Sequence, residues 1–402
     1  MSAVETDEGE RRRIQVFGSL GLLVFLVNFG RVVFAPLLDH FITVFGVGEA
    51  TVGLVATLAW FGSAAPRLPA GYLLTRYRRH HVILATGLLL AAAATLTAMA
   101  QSIWHVGFGA FVIGTTSGIY FVAANPLVSE LFPDRVGRVI GIHGTASQLA
   151  AVVAPLLIGA VVIYSTWRVV FVGLGVLALV GTVGLFVTAR RAPLPDLDTG
   201  KHQLTKSILN QWRIVLIGIV VVGTTGFVWN GFFNFFVRYL TTTKGIEFGL
   251  AQTFLTLIFA AGVPAFFYGG RLADRVSPDV LRLAIMGGFT VSLFLMTVVE
   301  GRYAIAAMSI VMGFVIHTMF PAMDTFLLGT LPDADRSSAY AAYSAIVMLM
   351  SSVSSVVVGT LVEWGLPFDA LYRFFAAFLV VVLFAMAVLQ WVTSPRRGLL
   401  RD

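Results

Sequence analysis

The sequence predicts an all-α integral membrane protein, with twelve transmembrane helices in two pseudo-symmetric six-helix bundles, and three observations carry that prediction. Hydrophobic residues make up 58% of the 402 and charged residues only 12%, with a mean hydropathy of +0.89, which is too apolar for a water-exposed surface. Breaking the chain at charge and Gly/Pro clusters leaves twelve apolar runs of about 20 residues or more, each long enough to cross a bilayer. Finally, the polar break GGRLADRVSPDVLR, Gly269 to Arg282, repeats the Gly-x-Leu-x-x-Arg skeleton of AGYLLTRYRRHH, Ala70 to His81. Gly71, Leu73 and Arg76 answer Gly270, Leu272 and Arg275 at an offset of 199 residues, close to half the chain.

The first run, 14–38, follows ETDEGERRR and continues past the length of a signal peptide without a small-residue cleavage site, so it reads as a retained helix. Runs at 50–74, 82–100, 104–129, 137–163 and 168–188 complete a first bundle over 14–188. The longest polar break, 189–211 with its PLPDLDTGKHQ core, reads as a cytoplasmic linker. Runs at 212–238, 249–272, 280–299, 303–328, 337–363 and 369–393 complete a second bundle over 212–393, leaving tails at 1–13 and 394–402. Every run is expected to be helical, since an isolated strand cannot satisfy its backbone in lipid and the short alternating runs of a barrel are absent.

Of the 27 Lys and Arg, 20 fall in the even-numbered breaks and the tails and 5 in the odd-numbered breaks; the remaining two, Arg31 and Arg67, lie inside spans. The positive-inside bias therefore predicts that both termini are cytoplasmic. The repeat extends beyond the stretch that revealed it, since Pro133 and Asp134 fall on Pro332 and Asp333. Under the same offset Arg31 aligns with Asn230, Asn125 with Asp324, and Arg67 with Phe266.

A pI near 9.9 and a net charge of +7 would suit nucleic acid, yet the basic residues are scattered between apolar runs and read as loop anchors at anionic lipid. The chain has no cysteine, which excludes disulfides, thiol catalysis and Cys-based metal sites. Neither HExxH spacing nor a P-loop is present, so no metal, no cofactor, no enzymatic activity and no ATP-driven transport are expected.

With these motifs in place, the chain resembles the major facilitator superfamily of secondary transporters. Gly270-Arg271-Leu272-Ala273-Asp274-Arg275 is similar to that family's loop motif between the second and third helices of each half, and Gly71-Tyr72-Leu73-Leu74-Thr75-Arg76 to its first-half copy. Thr75 departs from the acidic residue usual there. The resemblance implies alternating access between two bundles, a small-molecule substrate, protons as a coupling ion, a monomer in the plasma membrane and no covalent chemistry. It also implies that helices 1, 4, 7 and 10 line the pathway. Gly71, Arg76, Gly270, Asp274 and Arg275 are then the gating motif, with the second-half copy carrying more of the latch.

Charges buried in lipid are costly and usually face a cavity, so they are the first substrate-binding candidates. Arg31, past the midplane of its run and facing Asn230 and Asn234, offers a guanidinium fork for a carboxylate or another oxyanion, or else snorkels or pairs structurally. Arg67 is similar to an arginine that nitrate and nitrite carriers of the superfamily hold before the loop motif, although their second arginine, in helix 8, is matched here by Phe266. The alternative for Arg67 is an inner-gate ion pair with Asp324 or Glu130.

Asp324 either accepts a coupled proton or neutralises an arginine, and His317 is the second proton-coupling candidate. His143 reads as packing. Asn28, Tyr120, Asn125, Trp229 and Tyr343 add polar or aromatic groups that can orient a substrate. Asp39, Glu49, Glu363 and Asp369 fall at outer ends and read as solvated.

The leading expectation is a transporter of a small organic or inorganic anion, proton-coupled or exchanging. The alternative is a drug or metabolite exporter of the same superfamily. Against export of cations stand Arg31 in place of an acid, no arginine in span 4 before Gly114 or Gly118, and Ala154-Pro155-Leu156-Leu157-Ile158-Gly159 where antiporters carry a glycine-richer motif. A transport-dead membrane sensor is the alternative from a different class.

Overall fold

Helix is the only regular element in the computed structural model, which describes residues 3–74, 76–192, 194 and 211–393. Side chains of some residues within helices, among them Asp274 and Asp324, lie outside that description, as do Thr75, most of the 189–211 linker and the 394–402 tail. Proline and glycine explain most of the breaks. Helix α1 (Ala3–Val32) stops just before Pro36 opens a 3₁₀ turn (Ala35–Leu37), and α2 (Leu38–Phe45) carries the first run on to Gly46, where a φ of 62° ends it. The second predicted run is two helices rather than one, α3 (Glu49–Ala64) and α4 (Arg67–Leu74). They part at Ala65-Pro66, where the proline ring removes an N–H and crowds the preceding turn.

Helices α5 (Arg79–Ala98), α6 (Ile103–Leu131), α7 (Val136–Tyr164) and α8 (Arg168–Ala189) follow their predicted runs to within a few residues. The seventh run is α9 (Trp212–Gly218), a π turn (Ile219–Gly223) and α10 (Thr224–Thr242) in continuous sequence. Next come α11 (Phe248–Arg275), α12 (Pro278–Val298) and α13 (Arg302–Thr330). The eleventh run is interrupted at Val353 between α14 (Asp333–Ser352) and α15 (Ser354–Glu363), and α16 (Phe368–Thr393) closes the chain. Eleven stretches among the described residues are helical, long and apolar enough to cross a membrane, and the broken α3–α4 pair accounts for the remaining one of the twelve predicted runs. The outer faces of α8 and α16 expose Val172, Val176, Val180, Val380, Val381 and Phe384, a surface that lipid rather than water would cover.

Two helix contacts dominate the joining of the halves among the described residues: α3 packs against α14 and α15, and α11 packs against α7. The 199-residue offset maps α3 onto α11, so the two seams are equivalent. Thr57 of α3 accepts a hydrogen bond from the Val356 N–H at 3.1 Å, while Thr256, its repeat partner on α11, donates to the Val152 carbonyl at 3.4 Å. The α3 seam is also backbone against backbone, because a Cβ on Gly53 would strike the Ser355 carbonyl and one on Gly359 the Glu49 carbonyl.

The bundle has two distinguishable ends. At the terminus end Arg135 pairs with Glu10 at 3.3 Å, Arg12 donates to the Arg191 carbonyl at 3.0 Å, and Arg79 pairs with Glu130 at 3.0 Å. The distal end holds the α2–α3, α10–α11 and α15–α16 connections.

Candidate functional site

Arg31 occupies the last turn of α1, and the first half wraps it. Its guanidinium carbon lies 4.5 Å from the Trp60 ring centre on α3 and 5.9 Å from Phe121 on α6, so an aromatic face carries part of the charge. One Nη donates to Asn28 Oδ1 a turn earlier, and the Asn28 amide donates onward to the Ser147 carbonyl of α7 at 2.7 Å. The Nε of Arg31 is buried without a partner. No carboxylate bonds Arg31 among the described residues.

Arg67 opens α4 at the proline break. Its Nε donates to the Ser63 carbonyl at 3.2 Å, and one Nη reaches Ser344 Oγ of α14, in the other half, at 3.4 Å. The two guanidiniums lie within electrostatic reach of each other, so this part of the molecule carries positive charge from both. Glu130 is engaged by Arg79 at 3.0 Å, which removes one of the two acids expected to pair with Arg67.

An aromatic wall continues from Arg31 into the second half. Trp60 meets Phe233 of α10 edge-on at 5.8 Å, Phe233 lies 5.3 Å from Trp229, and Trp229 packs edge-on against His317 of α13 at 5.6 Å. His317 donates from Nδ1 to the Gly313 carbonyl at 2.7 Å, which in the neutral ring leaves Nε2 as an acceptor. Phe259 and Phe266 of α11 flank the same imidazole. Gly262 is what lets these helices meet: a Cβ there would lie 2.6 Å from the Gln148 amide nitrogen of α7 and 2.8 Å from His317 Cγ. That amide donates instead to the Phe259 carbonyl at 3.1 Å, tying α7 to α11.

The other candidates disperse. Asn234 donates to Asn230 Oδ1 at 2.9 Å and Ser355 donates to the same oxygen at 3.3 Å, so this pair is spent on the α10–α15 contact rather than on Arg31. Tyr120 donates to the Leu20 carbonyl at 2.7 Å; its one proton being used, it accepts from His143 Nε2 at 3.1 Å, inside the core of the first half. Asn125 is exposed on α6, and Tyr343 packs beside Gly218. The side chains of Asp324 and Asp274 lie outside the described residues. Of the gating motif, Gly71 has open space around it, Arg76 stacks on Tyr72 at 4.8 Å, and Arg275 is exposed at the end of α11; Gly270 lies within α11, and its surroundings are outside the description.

Sequence reasoning missed Trp60, Phe121, Gln148 and Gly262, since an aromatic, amide or glycine in an apolar run carries no directional signal. Of the acids at the span ends, Glu363 is exposed as expected, whereas Asp39, Glu49 and Asp369 are only partly exposed and bonded. Asp39 and Glu49 both bond Arg238 at 2.8 Å, Glu363 accepts from the Ala50 N–H at 2.8 Å, and Asp369 accepts from the Tyr239 hydroxyl at 2.6 Å. At the sheltered Arg238, Asp39 and Glu49 side chains, pairing takes the place of part of the hydration. Applying the repeat offset to Asp39 lands on Arg238, a signal that was available.

Comparison with known proteins gives a consistent set of matches. A family model described as Major Facilitator Superfamily matches residues 20–301 and 255–402. The multidrug resistance protein MdtG of Proteus mirabilis (strain HI4320) is 24% identical over 397 residues, covering 93% of this chain and 94% of that protein. A bacterial homologue of the human lysosomal transporter Spinster, solved in an inward-facing and occupied conformation, superposes with a TM-score of 0.77 at 16% identity, covering 96% of this chain and 98% of that one. A D-xylose-proton symporter superposes with a TM-score of 0.77 at 14% identity, covering 93% and 96%.

Proposed function

Since the chain belongs to the major facilitator superfamily and is a multi-pass membrane transporter rather than an enzyme, we propose that it carries small organic anions by alternating access. The observation that carries this reading is Arg31, a buried guanidinium with an unpartnered Nε and no bonded acid among the described residues. Keeping an arginine within a span costs at least about 2.5–3.5 kcal/mol, and an anionic ligand would offset that cost in part of the cycle. The Trp60 and Phe121 faces beside it and the Phe233, Trp229 and Phe259 wall beyond favour an apolar body on the anion over a bare inorganic ion. Arg67 adds attraction without offering a second bonded fork to the same group.

His317 is the proton-coupling group in this reading, with Nε2 as the accepting atom and Asp324 as its acidic companion on α13. The positive-inside bias supports cytoplasmic termini in a plasma membrane. On that orientation the distal end, where Arg238 ties the halves, faces outward.

A second reading, export of drug-like compounds, draws support from the name of the MdtG relative and from the same aromatic wall. Proteoliposome flux separates the two. Aromatic and aliphatic monocarboxylates should move in the parent protein, and Arg31→Gln should cut that flux at least about a hundredfold, as loss of a charge-assisted bidentate contact would. Flux of neutral or cationic dyes that is unchanged by Arg31→Gln, with no carboxylate flux in the parent, would overturn the anion reading in favour of drug export.

A further inference from the structure

We infer that Arg238, Asp39, Glu49 and Glu363 are the gating residues that hold the halves together at the distal end, and that separating them is a required step of transport. This rests on the alternating-access reading but not on the identity of the substrate.

Arg238 stands on α10, in the second half; its two Nη atoms donate to Asp39 Oδ1 of α2 and Glu49 Oε1 of α3, each at 2.8 Å and both in the first half. The three side chains are 24%, 19% and 19% exposed, enough shelter from water for the ion pairs to exceed the worth of a surface contact. Nε is buried without a partner, and the two hydrogen bonds that the guanidinium makes through its Nη atoms both cross the seam. The second contact runs the other way. Glu363 of α15 accepts from the Ala50 N–H in the first turn of α3 at 2.8 Å, and its carboxylate fills the space where Gly48 would carry a Cβ. A helix in one half is thus capped by an acid from the other, a favourable arrangement at a helix N-terminus.

The internal repeat explains why the contact is made here. Asp39 and Arg238 are separated by 199 residues, the offset of the two halves, so they are equivalent positions that meet close to the axis relating the bundles. Identical residues there would set like charges against each other; divergence to one acid and one base turns the same geometry into an attraction. Removing the Arg238 charge takes both ion pairs out of the seam and leaves Asp39 and Glu49 without the cation that ties them to the second half.

The absence of native cysteine gives a direct test. Thr57 is 7% exposed on the α3–α15 seam, and Thr57→Cys supplies a sole thiol whose reaction with N-ethylmaleimide in detergent reports distal opening. Adding Arg238→Gln should speed labelling about tenfold or more, Arg238→Lys less, because one ammonium cannot serve two carboxylates as a fork does. Exchanging the pair with Asp39→Arg and Arg238→Asp should restore slow labelling. The proposal fails if Arg238→Gln labels at the parental rate, or if the exchanged pair labels as fast as Arg238→Gln. Measurable labelling of the Thr57→Cys parent supports alternating access whatever the Arg238 variants do, so the two readings fail separately.

Discussion

The two ends of the seam between the halves are built on opposite principles. At the distal end, Gly53 and Gly359 bring backbones into contact and Arg238 and Glu363 tie the halves together. Toward the terminus end, Gly71, Gly141 and Gly144 have nothing within 4 Å of where a Cβ would stand, and Arg76 and Arg275 are exposed. The cross-half bond from Arg67 to Ser344 lies on this side, at a long 3.4 Å. Among the described residues of the loop motif, Arg76 and Arg275 make no hydrogen bond or ion pair across the seam in this state. On the proposed alternating-access reading, this conformation is held at the distal end, and Gly71, Arg76 and Arg275 are left for contacts of the opposite state.

The contrast can be broken most sharply at Gly359. Because its Cβ would meet the Glu49 backbone, which cannot move aside as a flexible side chain can, Gly359→Val should force the distal seam apart. Overpacking of this kind costs about 1–3 kcal/mol. Charged against one state only, it should shift the population more than about tenfold toward distal opening and suppress flux by a similar factor. Hydrogen exchange over α3 and α15 would show the opening; unchanged exchange with normal flux would mean that the seam does not gate.

The mirror experiment sharpens the other side. Gly71→Leu enters open space in this state, so the melting temperature should hold or rise slightly, since leucine favours helix over glycine by roughly 1 kcal/mol. Closing the terminus end would then meet a side chain where the motif has none, and flux should fall several-fold. Flux at the parental level would show that Gly71 does not approach its neighbours in either state.

How much of this was legible beforehand depended on which force set the feature. Hydropathy gave the spans, because a bilayer leaves apolar helices as the only solution, and the breaks at Pro36 and Pro66 follow from a missing N–H. Arg31 was legible for the same reason, as a charge where charge is expensive. Asn230 and Asn234 were misread as facing it. An amide buried in a span has a local option, the i to i+4 bond that Asn234 makes, and hydropathy cannot tell that bond from a cavity-facing role. Asp39 and Glu49 at the span ends were misread in the opposite sense. Carboxylates beside a loop look solvated in one dimension, and only the fold of two repeats onto each other brings Asp39 to Arg238.

The smallest effect on transport is expected away from both ends of the seam. Tyr120 and His143 are buried within the first half, and their hydrogen bonds run to each other and to the Leu20 carbonyl of α1, none of them crossing to the second half. Tyr120→Phe leaves that carbonyl and the His143 N–H short of a partner, at about 1–3 kcal/mol, so the melting temperature should drop. Both conformations lose the same bonds, however, because a rigid half carries them through the cycle unchanged. A penalty common to both states cannot alter their ratio, and carboxylate flux per folded molecule should stay within about twofold of the parent. A larger loss of flux than of stability would mean that the first half deforms during transport, and that the seam is not the only moving part.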